Sequence, residues 1–300
     1  MPKLIMLIGL PGSGKSTYAK QYLADHIENT VWCSSDGIRK ELYGDENIQG
    51  NPQTVFEHLH NKVGMYLHRG YDVIYDATNV TRKNRSGVIE KFKHIANIEA
   101  HIVWAPYIQC VERDKTRLRS VGEDVIKKFL YRWQSPNYDE GFKHIDLIYN
   151  CNVGWNYLHY RKCMIDNMHI EHENPHHTLN VIDHCKEVER LLSETYPQSS
   201  VFTEAGLFHD IGKPMTKGFK SDENGKMIPI AHYYQHNNVG GYLVYGCYED
   251  TKLGKQKAVL VSWFTCNHME PYFNSKYYKG LTGQYKEWID AIHDADIAAH

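Results

Sequence analysis

The first residues that could carry chemistry form a glycine-rich segment near the N-terminus. "GLPGSGKST" (residues 9–17) follows a short apolar run and precedes a helical stretch, with the spacing G-x-x-x-x-G-K-[ST]. Its backbone N–H groups can surround phosphates at a helix start, where the helix dipole adds positive potential. Lys15 is expected to reach the β- and γ-phosphates of ATP, and the Ser16 hydroxyl to ligate Mg²⁺. The predicted nucleotide-binding residues here are Gly9, Gly12, Ser13, Gly14, Lys15, Ser16 and Thr17.

Two carboxylates follow later strands of this half. Asp36 comes just past the second predicted strand, and if a helix starts there, Arg39 shares its face. The carboxylate could then take a proton from an attacking hydroxyl while the arginine grips a substrate phosphate. The alternative is a helix-capping Asp36 beside a solvated Arg39. Asp76 ends the strand in "YDVIYD", at the sheet edge where ligands bind, and can hold the water shell of the Mg²⁺ ion.

A basic run in "RDKTRLRS" could supply a lid over the transferring phosphoryl group. An arginine closing over that group would stabilise its charge. A solvated charged surface would have the same sequence, so the individual roles stay open. The candidates are Arg113, Lys115, Arg117 and Arg119.

The second half contains histidines and carboxylates at helical spacing. In "PHHTLNVIDHCKEVERLL", His184 lies on the apolar stripe of Val181 and Val188 and points inward, and His177 lies on nearly the same stripe. Such a histidine is either a hydrogen-bonded core residue or a metal ligand. In the adjacent pair His209-Asp210, the carboxylate could bridge two cations while the imidazole binds one. Further candidates downstream are His236 and His268.

The C-terminal helix offers one more candidate carboxylate. Asp296 falls on the face of Ile289 and Ile292, whereas Asp294 falls on the polar face. Asp296 is therefore the better metal ligand of the two.

Strands and helices must position these residues. Short apolar runs alternate with helical stretches through residues 1–150, which predicts a three-layer α/β domain with a parallel sheet. Residues 151–165 are interpreted as a linker and residues 166–300 as a second domain, in which helical spacing dominates from about residue 177 onward. We therefore expect an α/β P-loop domain followed by an all-α domain.

Composition limits the class of protein. The formal charge is −2, with 20 basic and 18 acidic residues in residues 1–150 but 14 and 18 in residues 151–300, which argues against a polybasic binder. The seven cysteines are scattered, so a disulfide framework or a thiolate zinc site is not expected. No stretch approaches the length of a membrane span. These features predict a soluble, cytoplasmic protein without a membrane partner.

Residues 1–150 resemble the phage-type polynucleotide 5′-kinases and their zeta-toxin-like relatives. The resemblance rests on "GLPGSGKST", "SSDGIRKEL", "DATNVTRKNR" and "TRLRSVGEDVIKKF". It implies that Asp36 is the general base on a 5′-hydroxyl and that Arg39 holds the acceptor's phosphate. It also implies that Arg117 is the lid arginine, with Arg119 as the alternative.

Residues 166–300 resemble the HD phosphohydrolase superfamily, through "FHDIGKP" and "ADIAA". Within it, "NPHHTLNVIDH" is similar to the HD domains of tRNA nucleotidyltransferases, which open 2′,3′-cyclic phosphates. Four ligands would hold one metal and two extra histidines would permit a second, with Mn²⁺, Ni²⁺, Co²⁺ or Fe the expected ions. Because the chain ends four residues after Asp296, a further helix could be missing. The implied ligands are His184, His209, Asp210, His236, His268 and Asp296.

Together the two resemblances imply a bifunctional RNA end-healing enzyme. It would combine an ATP-dependent 5′-hydroxyl polynucleotide kinase with a metal-dependent 2′,3′-cyclic phosphoesterase, like HD-type polynucleotide kinases with the modules reversed. RNA or DNA ends would be the substrates, with an RNA ligase acting downstream. The alternatives are a small-molecule or nucleoside kinase fused to a nucleotide phosphohydrolase, and a nucleotide-binding regulatory module with a degenerate HD scaffold.

Overall fold

In a computed structural model of the protein, residues 1–117, 119–174 and 178–299 are described, and the chain divides into two units. The first unit contains Met1–Phe129 and Pro136–Gly154. The second contains Leu130–Ser135 and the chain from Trp155 onward. The polypeptide thus enters the second unit briefly before it completes the first.

The first unit is built on a five-stranded parallel sheet with the order β2-β3-β1-β4-β5. Side chains from Leu4 to Ile8 on the central strand are fully buried, as expected for a parallel strand covered on both faces. The strands are β1 Lys3–Ile8, β2 Thr30–Ser34, β3 Asp72–Asp76, β4 Asn97–Trp104 and β5 His144–Tyr149. The helices are α1 Lys15–Asp25, α2 Ser35–Tyr43, α3 Pro52–His68, α4 Arg82–Phe92, α5 Tyr107–Lys115 and α6 Glu123–Leu130, with a 3₁₀ turn at Tyr138–Glu140.

The strand register fixes where the predicted site residues lie. Leu7 pairs with Asp76, and Ser34 pairs with Asp76 from the other side. The glycine-rich loop after β1, the start of α2 after β2 and the end of β3 therefore meet at the carboxyl edge of the sheet. This is the edge where open α/β sheets bind ligands.

A buried ion pair holds the 3₁₀ turn of the first unit against α4. Arg85 is fully buried and donates from Nε to Glu140 Oε2 (2.7 Å) and from Nη2 to Glu140 Oε1 (2.6 Å). Its Nη1 donates to the carbonyl oxygen of Asn79 (3.1 Å). The guanidinium thus joins the loop after β3 to the segment that leads into β5.

The second unit is mostly helical and contains one β-hairpin. Trp133 lies in it, with its ring edge-on to Tyr242 and Tyr245. The helices are α7 Tyr157–Asn167, α8 Val181–Thr195, α9 Ser200–Phe208, α10 Lys213–Thr216, α11 His236–Val244, α12 Lys252–Asn267, α13 Glu270–Phe273, α14 Lys276–Gly280 and α15 Gly283–Ala298, with a 3₁₀ turn at Tyr245–Cys247. The hairpin strands are β6 Gly218–Ser221 and β7 Met227–His232.

The predicted parallel α/β fold of the first half is confirmed, as is the helical character of the rest. The hairpin was not predicted, because its two strands are short. The segment between them, "SDENGK", indicates only a break in helical spacing. Helix α7 occupies most of the stretch interpreted as a linker, residues 151–165. Within the described residues, no helix is long and apolar enough to cross a membrane.

Candidate functional site

The glycine-rich loop of the first unit adopts a conformation that only glycine can hold. Gly12 and Gly14 have φ values of +81° and +94°. A Cβ on Gly12 would lie 2.2 Å from the carbonyl oxygen of Cys110, and a Cβ on Gly14 would lie 1.7 Å from Asn150 Nδ2. Asn150 Nδ2 in turn donates to the carbonyl oxygen of Ser13 (2.8 Å). The loop is thus fixed as a curved run of backbone, in the form that phosphate-binding loops take.

Lys15, the first residue of α1, is folded back over this loop. Its Nζ donates to the carbonyl oxygens of Gly9 and Leu10, both at 2.9 Å. Burial lowers the pKa of Lys15, while the charge of Asp76 opposes that shift. A bound phosphate would offer this ammonium group stronger acceptors than two neutral carbonyls. The predicted loop residue Thr17 is exposed.

Ser16 and Asp76 form the pair that could hold a magnesium ion. The Ser16 hydroxyl donates to Asp76 Oδ2 at 3.0 Å. Burial raises the pKa of Asp76, and the charge of Lys15 opposes that shift. A hydroxyl and a carboxylate beside a phosphate loop are oxygen donors of the kind that Mg²⁺ requires. Ser13 is fully buried, and its hydroxyl has no hydrogen-bond partner among the described residues.

Asp36 lies in the first turn of α2 but does not cap the helix. Ser34 is the N-cap, because its hydroxyl accepts from the N–H of Gly37 (2.9 Å). Asp36 Oδ1 instead accepts from Nη1 of Arg39 at 2.5 Å and from Nη1 of Arg119 at 3.2 Å. The capping alternative for Asp36 is therefore wrong, and the carboxylate faces two guanidinium groups.

The candidate lid arginines occupy different positions. Arg119 also donates to the carbonyl oxygen of Glu46 (2.9 Å), so it is tied to the α2 side of the site. The exposed Arg117 acts on Lys15 instead, since its charge adds to the effect of burial in lowering the Lys15 pKa. Arg113 donates to Asn152 Oδ1 (2.8 Å). Lys115 is exposed.

The second unit brings all six predicted metal ligands into one buried cluster. They come from five places in the sequence: α8, the end of α9, the start of α11, the end of α12 and α15. Each is at most 7% exposed, an unusual environment for a group of polar side chains. The residues are His184, His209, Asp210, His236, His268 and Asp296.

The histidine rings of this cluster are held by backbone carbonyl groups. Nδ1 of His209 lies 2.7 Å from the carbonyl oxygen of Gly206. Nδ1 of His236 and of His268 lie 2.8 Å from the carbonyl oxygens three residues before each. A carbonyl only accepts, so each Nδ1 carries a proton, and in the neutral ring Nε2 presents a lone pair. Metal-ligating histidines are oriented in this way.

These lone pairs meet in two groups that share Asp210. In the first group, His209 Nε2 lies 3.3 Å from His184 Nε2 and 3.3 Å from Asp210 Oδ2. In the second, His236 Nε2 lies 3.1 Å from His268 Nε2 and 3.1 Å from Asp210 Oδ1. Asp296 Oδ1 joins the first group, 2.9 Å from His184 Nε2. These side chains could provide ligands for two cations, with Asp210 contributing to both groups.

The charges around Asp210 affect the protonation of the whole cluster. Burial would lower the pKa of His209, but the charge of Asp210 raises that pKa well above its usual range, so metal binding at His209 would displace a proton. Burial alone would raise the pKa of the Asp210 carboxyl, but Lys213 and His209 hold that pKa well below its usual range. Burial, together with the neighbouring His236 and His209, lowers the pKa of His268 to about 3. An anionic carboxylate and a neutral imidazole are the states in which these residues bind metal. Nitrogen and carboxylate donors without thiolate suit Mn²⁺, Ni²⁺, Co²⁺ or Fe.

Two residues near the cluster were missed in the sequence. Lys213 is buried, and its Nζ lies 2.5 Å from Asp210 Oδ2. Its signal was the spacing of three residues after Asp210, which places both on one side of a helical turn. The Tyr272 hydroxyl donates to Asp296 Oδ2 (3.2 Å), and no local pattern indicates that contact. His177, the competing ligand candidate, lies outside the described residues.

Comparisons with known proteins cover part of the chain. A family model described as an AAA domain matches residues 4–136. The comparison with curated proteins finds no match. The family model therefore includes the phosphate loop, Asp36 and the arginine segment, and ends before the metal cluster.

Three solved structures are similar to parts of the chain. One is the Pnkp1/Rnl/Hen1 RNA repair complex, at 25% identity and a TM-score of 0.39, covering 43% of this chain and 42% of that chain. A second Pnkp1/Rnl/Hen1 complex has 29% identity and a TM-score of 0.35, covering 40% and 42%. A gluconokinase from Sinorhizobium meliloti 1021 has 14% identity and a TM-score of 0.34, covering 49% and 83%. The chain thus spans less than half the length of the two chains from Pnkp1/Rnl/Hen1 complexes.

Proposed function

We propose that the protein heals both ends of broken RNA: a 5′-hydroxyl kinase in the first unit and a 2′,3′-cyclic phosphoesterase in the second. The observation that carries the proposal is the position of Asp210, with Oδ1 facing one imidazole pair and Oδ2 the other. The same chain contains a phosphate loop with Asp36 at the same sheet edge. A degenerate scaffold would have no reason to keep six buried ligand groups oriented inward.

In the kinase unit, the residues divide between the phosphate donor and the acceptor. Lys15 and the loop N–H groups would hold the ATP phosphates, and Ser16 with Asp76 would hold Mg²⁺. Asp36 would accept the proton of the 5′-hydroxyl as its oxygen bonds to the γ-phosphorus and the bond to the β-phosphate oxygen breaks. Arg39 would hold a phosphate of the acceptor strand, and Arg117 would close over the transferring group.

In the phosphoesterase unit, His184, His209, Asp210 and Asp296 would hold one cation, and Asp210 with His236 and His268 a second. When bound, such cations activate water and stabilise charge on a phosphorus oxyanion. Lys213 offsets the charge of Asp210 and adds positive potential for a phosphodiester anion. Tyr272 positions Asp296 through its hydroxyl. To leave a free 3′-end, water would add to phosphorus and the bond from phosphorus to the 3′-oxygen would break, so that the products are a 2′-phosphate and a 3′-hydroxyl.

The two proposed activities would act on the two kinds of end that one RNA cleavage leaves. RNA cut by metal-independent nucleases has a 5′-hydroxyl and a 2′,3′-cyclic phosphate, whereas a ligase typically needs a 5′-phosphate and a free 3′-end. One chain carrying both activities would prepare such ends for an RNA ligase. Single-stranded DNA with a 5′-hydroxyl is a possible kinase substrate but lacks the 2′-oxygen needed by the second unit.

The decisive experiment offers both ends on one molecule. An RNA with a 5′-hydroxyl and a 2′,3′-cyclic phosphate is incubated with the full chain, ATP, Mg²⁺ and Mn²⁺, and both termini are mapped by mass spectrometry. We expect a 5′-phosphate and an opened 3′-end. Phosphate transfer to nucleosides or small sugars but not to RNA would refute the kinase assignment, and an intact cyclic end would refute the second activity.

A further inference from the structure

The hairpin β6–β7 is joined at both ends to the metal cluster. It leaves α10, whose Lys213 contacts Asp210, and it returns to α11, whose first residue is the ligand His236. Tyr233, which lies between β7 and α11, also contacts this ligand, because its carbonyl oxygen lies 2.8 Å from His236 Nδ1. The hairpin therefore begins and ends beside residues of the metal cluster.

One end of the hairpin displays an exposed aromatic stack beneath a lysine. The rings of His232 and Tyr234 are stacked, with centroids 4.4 Å apart and an interplanar angle of 26°. Lys220 Nζ lies 5.4 Å from the centroid of the Tyr234 ring. Tyr234 is nevertheless 57% exposed. We call His232, Tyr234 and Lys220 the aromatic platform.

The strand pattern builds the platform on one face of the hairpin. Gly218 pairs with His232, and a Cβ on Gly218 would lie 2.8 Å from Cε1 of the His232 ring. The glycine therefore leaves room for that ring beside the strand. Alternation along β7 places Ile230, which is also exposed, on the face of His232. Met227, at 59% exposure, lies on the opposite face.

The neighbouring residues Tyr233 and Tyr234 contact different groups at the base of the hairpin. The Tyr233 hydroxyl donates to the carbonyl oxygen of His172, and the Tyr233 ring lies 5.4 Å from Lys213 Nζ, so this ring borders the metal cluster. Tyr234, the next residue, stacks on His232 instead. A terminal nucleotide at the metal cluster would lie beside Tyr233, and an RNA strand that continued past the base of the hairpin would bring its preceding base to Tyr234.

An aromatic ring that is more than half exposed, stacked on a second ring and paired with a lysine is the chemistry that binds single-stranded nucleic acid. Bases stack on aromatic faces whatever their sequence, and lysines neutralise the adjoining phosphates. We propose that the aromatic platform holds the base on the 5′ side of the terminal nucleotide, while the 3′ end occupies the metal cluster. This inference rests on the proposed phosphoesterase function and adds the surface that would bind the RNA strand upstream of its cyclic end, by which the protein would prefer single-stranded RNA to a free cyclic nucleotide.

The test compares Tyr234→Ala with the full chain on two substrates, a 2′,3′-cyclic mononucleotide and a short RNA ending in the same nucleotide. We expect KM for the RNA to rise roughly 10- to 100-fold more than KM for the mononucleotide, the size of one lost base stack. Tyr234→Phe should restore the RNA KM because it keeps the ring. The matched control is Met227→Ala, an exposed side chain on the other hairpin face, which should leave the ratio of the two KM values unchanged. If Tyr234→Ala changes the two KM values equally, or changes neither, the aromatic platform does not bind the RNA.

A binding measurement separates this inference from the proposed function. A single-stranded RNA with a fluorophore on its 5′ end and a 3′-hydroxyl is titrated with full-length protein by anisotropy at several salt concentrations. Lys220→Ala should reduce the slope of log Kd against log salt by about 0.7, the value for one phosphate contact on a single strand. Weaker binding by Tyr234→Ala would support the platform even if cyclic-phosphate hydrolysis were absent. If Tyr234→Ala leaves the RNA affinity unchanged and Lys220→Ala leaves the salt slope unchanged, the aromatic platform does not bind RNA. Hydrolysis of a cyclic mononucleotide, if it is measured, would still support the proposed phosphoesterase.

Discussion

Nε2 of His236 lies 3.1 Å from Nε2 of His268, although Nδ1 of each ring faces a backbone carbonyl oxygen. With Nδ1 protonated in both neutral rings, two lone pairs point at each other inside the protein. Such an arrangement is repulsive unless a cation, either a metal ion or a proton on one of the rings, lies between the nitrogens. In the pair His184–His209 the two Nε2 atoms lie 3.3 Å apart on the other side of Asp210, and His184 Nε2 also lies 2.9 Å from Asp296 Oδ1. The fold thus directs four imidazole nitrogens inward on the two sides of Asp210, and we expect metal ions to bind among them.

Asp210→Ala should empty the whole cluster of metal. Its two oxygens face the two imidazole pairs, so losing the carboxylate removes a ligand and a compensating charge from both positions. We expect about two transition-metal ions per wild-type chain and fewer than half an ion in the variant by plasma mass spectrometry. Asp294→Ala, on the exposed face of α15, should keep the wild-type content. Full metal content in Asp210→Ala would refute the bridging role.

His268→Ala should lose one ion and keep the other. The Nε2 atom of His268 belongs to the second group, although its ring also lies edge-on to His209, and the first group retains His184, His209, Asp210 and Asp296. The measured content should fall to about one ion per chain, with hydrolysis of a 2′,3′-cyclic nucleotide reduced at least about 100-fold if both ions take part. His169→Ala, an exposed histidine, is the control. Loss of both ions in a folded His268→Ala protein would show that the positions are not independent.

Some of this site could be predicted from sequence, and some could not. The glycine-rich loop could be predicted from a short sequence pattern, because the phosphate-binding conformation depends on adjacent residues. Helical periodicity placed Asp296 on the buried face and Asp294 on the exposed face, as the structure has them. The contact of Arg119 with Asp36 joins residues 83 apart and follows only from tertiary packing. The contact of Tyr272 with Asp296 is equally non-local, since it depends on how the short helix α13 lies against α15.

Lys15→Ala should separate the two activities. The ammonium group is buried against the phosphate loop, where a phosphate would replace its two carbonyl acceptors. Loss of this charge should lower ATP-dependent phosphorylation of a 5′-hydroxyl RNA by about 10²- to 10³-fold while hydrolysis of a cyclic nucleotide persists. Lys20→Ala, exposed on the same helix, controls for a general effect of removing a lysine. Equal loss of both activities in a folded variant would contradict two separate sites.

Arg117→Ala and Arg119→Ala should affect different kinetic constants. Arg117 acts electrostatically on Lys15, whereas Arg119 is bonded to Asp36 and to the carbonyl of Glu46. We therefore expect Arg117→Ala to lower kcat at least about 100-fold, as loss of a group that stabilises the transferring phosphoryl would. Arg119→Ala should mainly raise KM for the RNA acceptor, and exposed Lys115→Ala should change neither constant. The reverse pattern in initial-rate kinetics would make Arg119 the lid arginine.

Arg85→Ala should destabilise the first unit far more than the loss of an exposed ion pair would. The fully buried guanidinium makes two hydrogen bonds to Glu140 and one to the carbonyl of Asn79, and its removal leaves the Glu140 carboxylate buried without its main partner. Breaking such a pair costs about 3–5 kcal/mol, whereas replacing both partners by apolar residues of similar volume is often neutral. Urea unfolding should therefore show a large loss for Arg85→Ala and a partial recovery for Arg85→Met combined with Glu140→Leu. Arg190→Ala, which breaks the exposed contacts to Glu187 and Glu194, should leave the midpoint unchanged. A midpoint equal to wild type in Arg85→Ala would mean that the pair does not hold the 3₁₀ turn against α4.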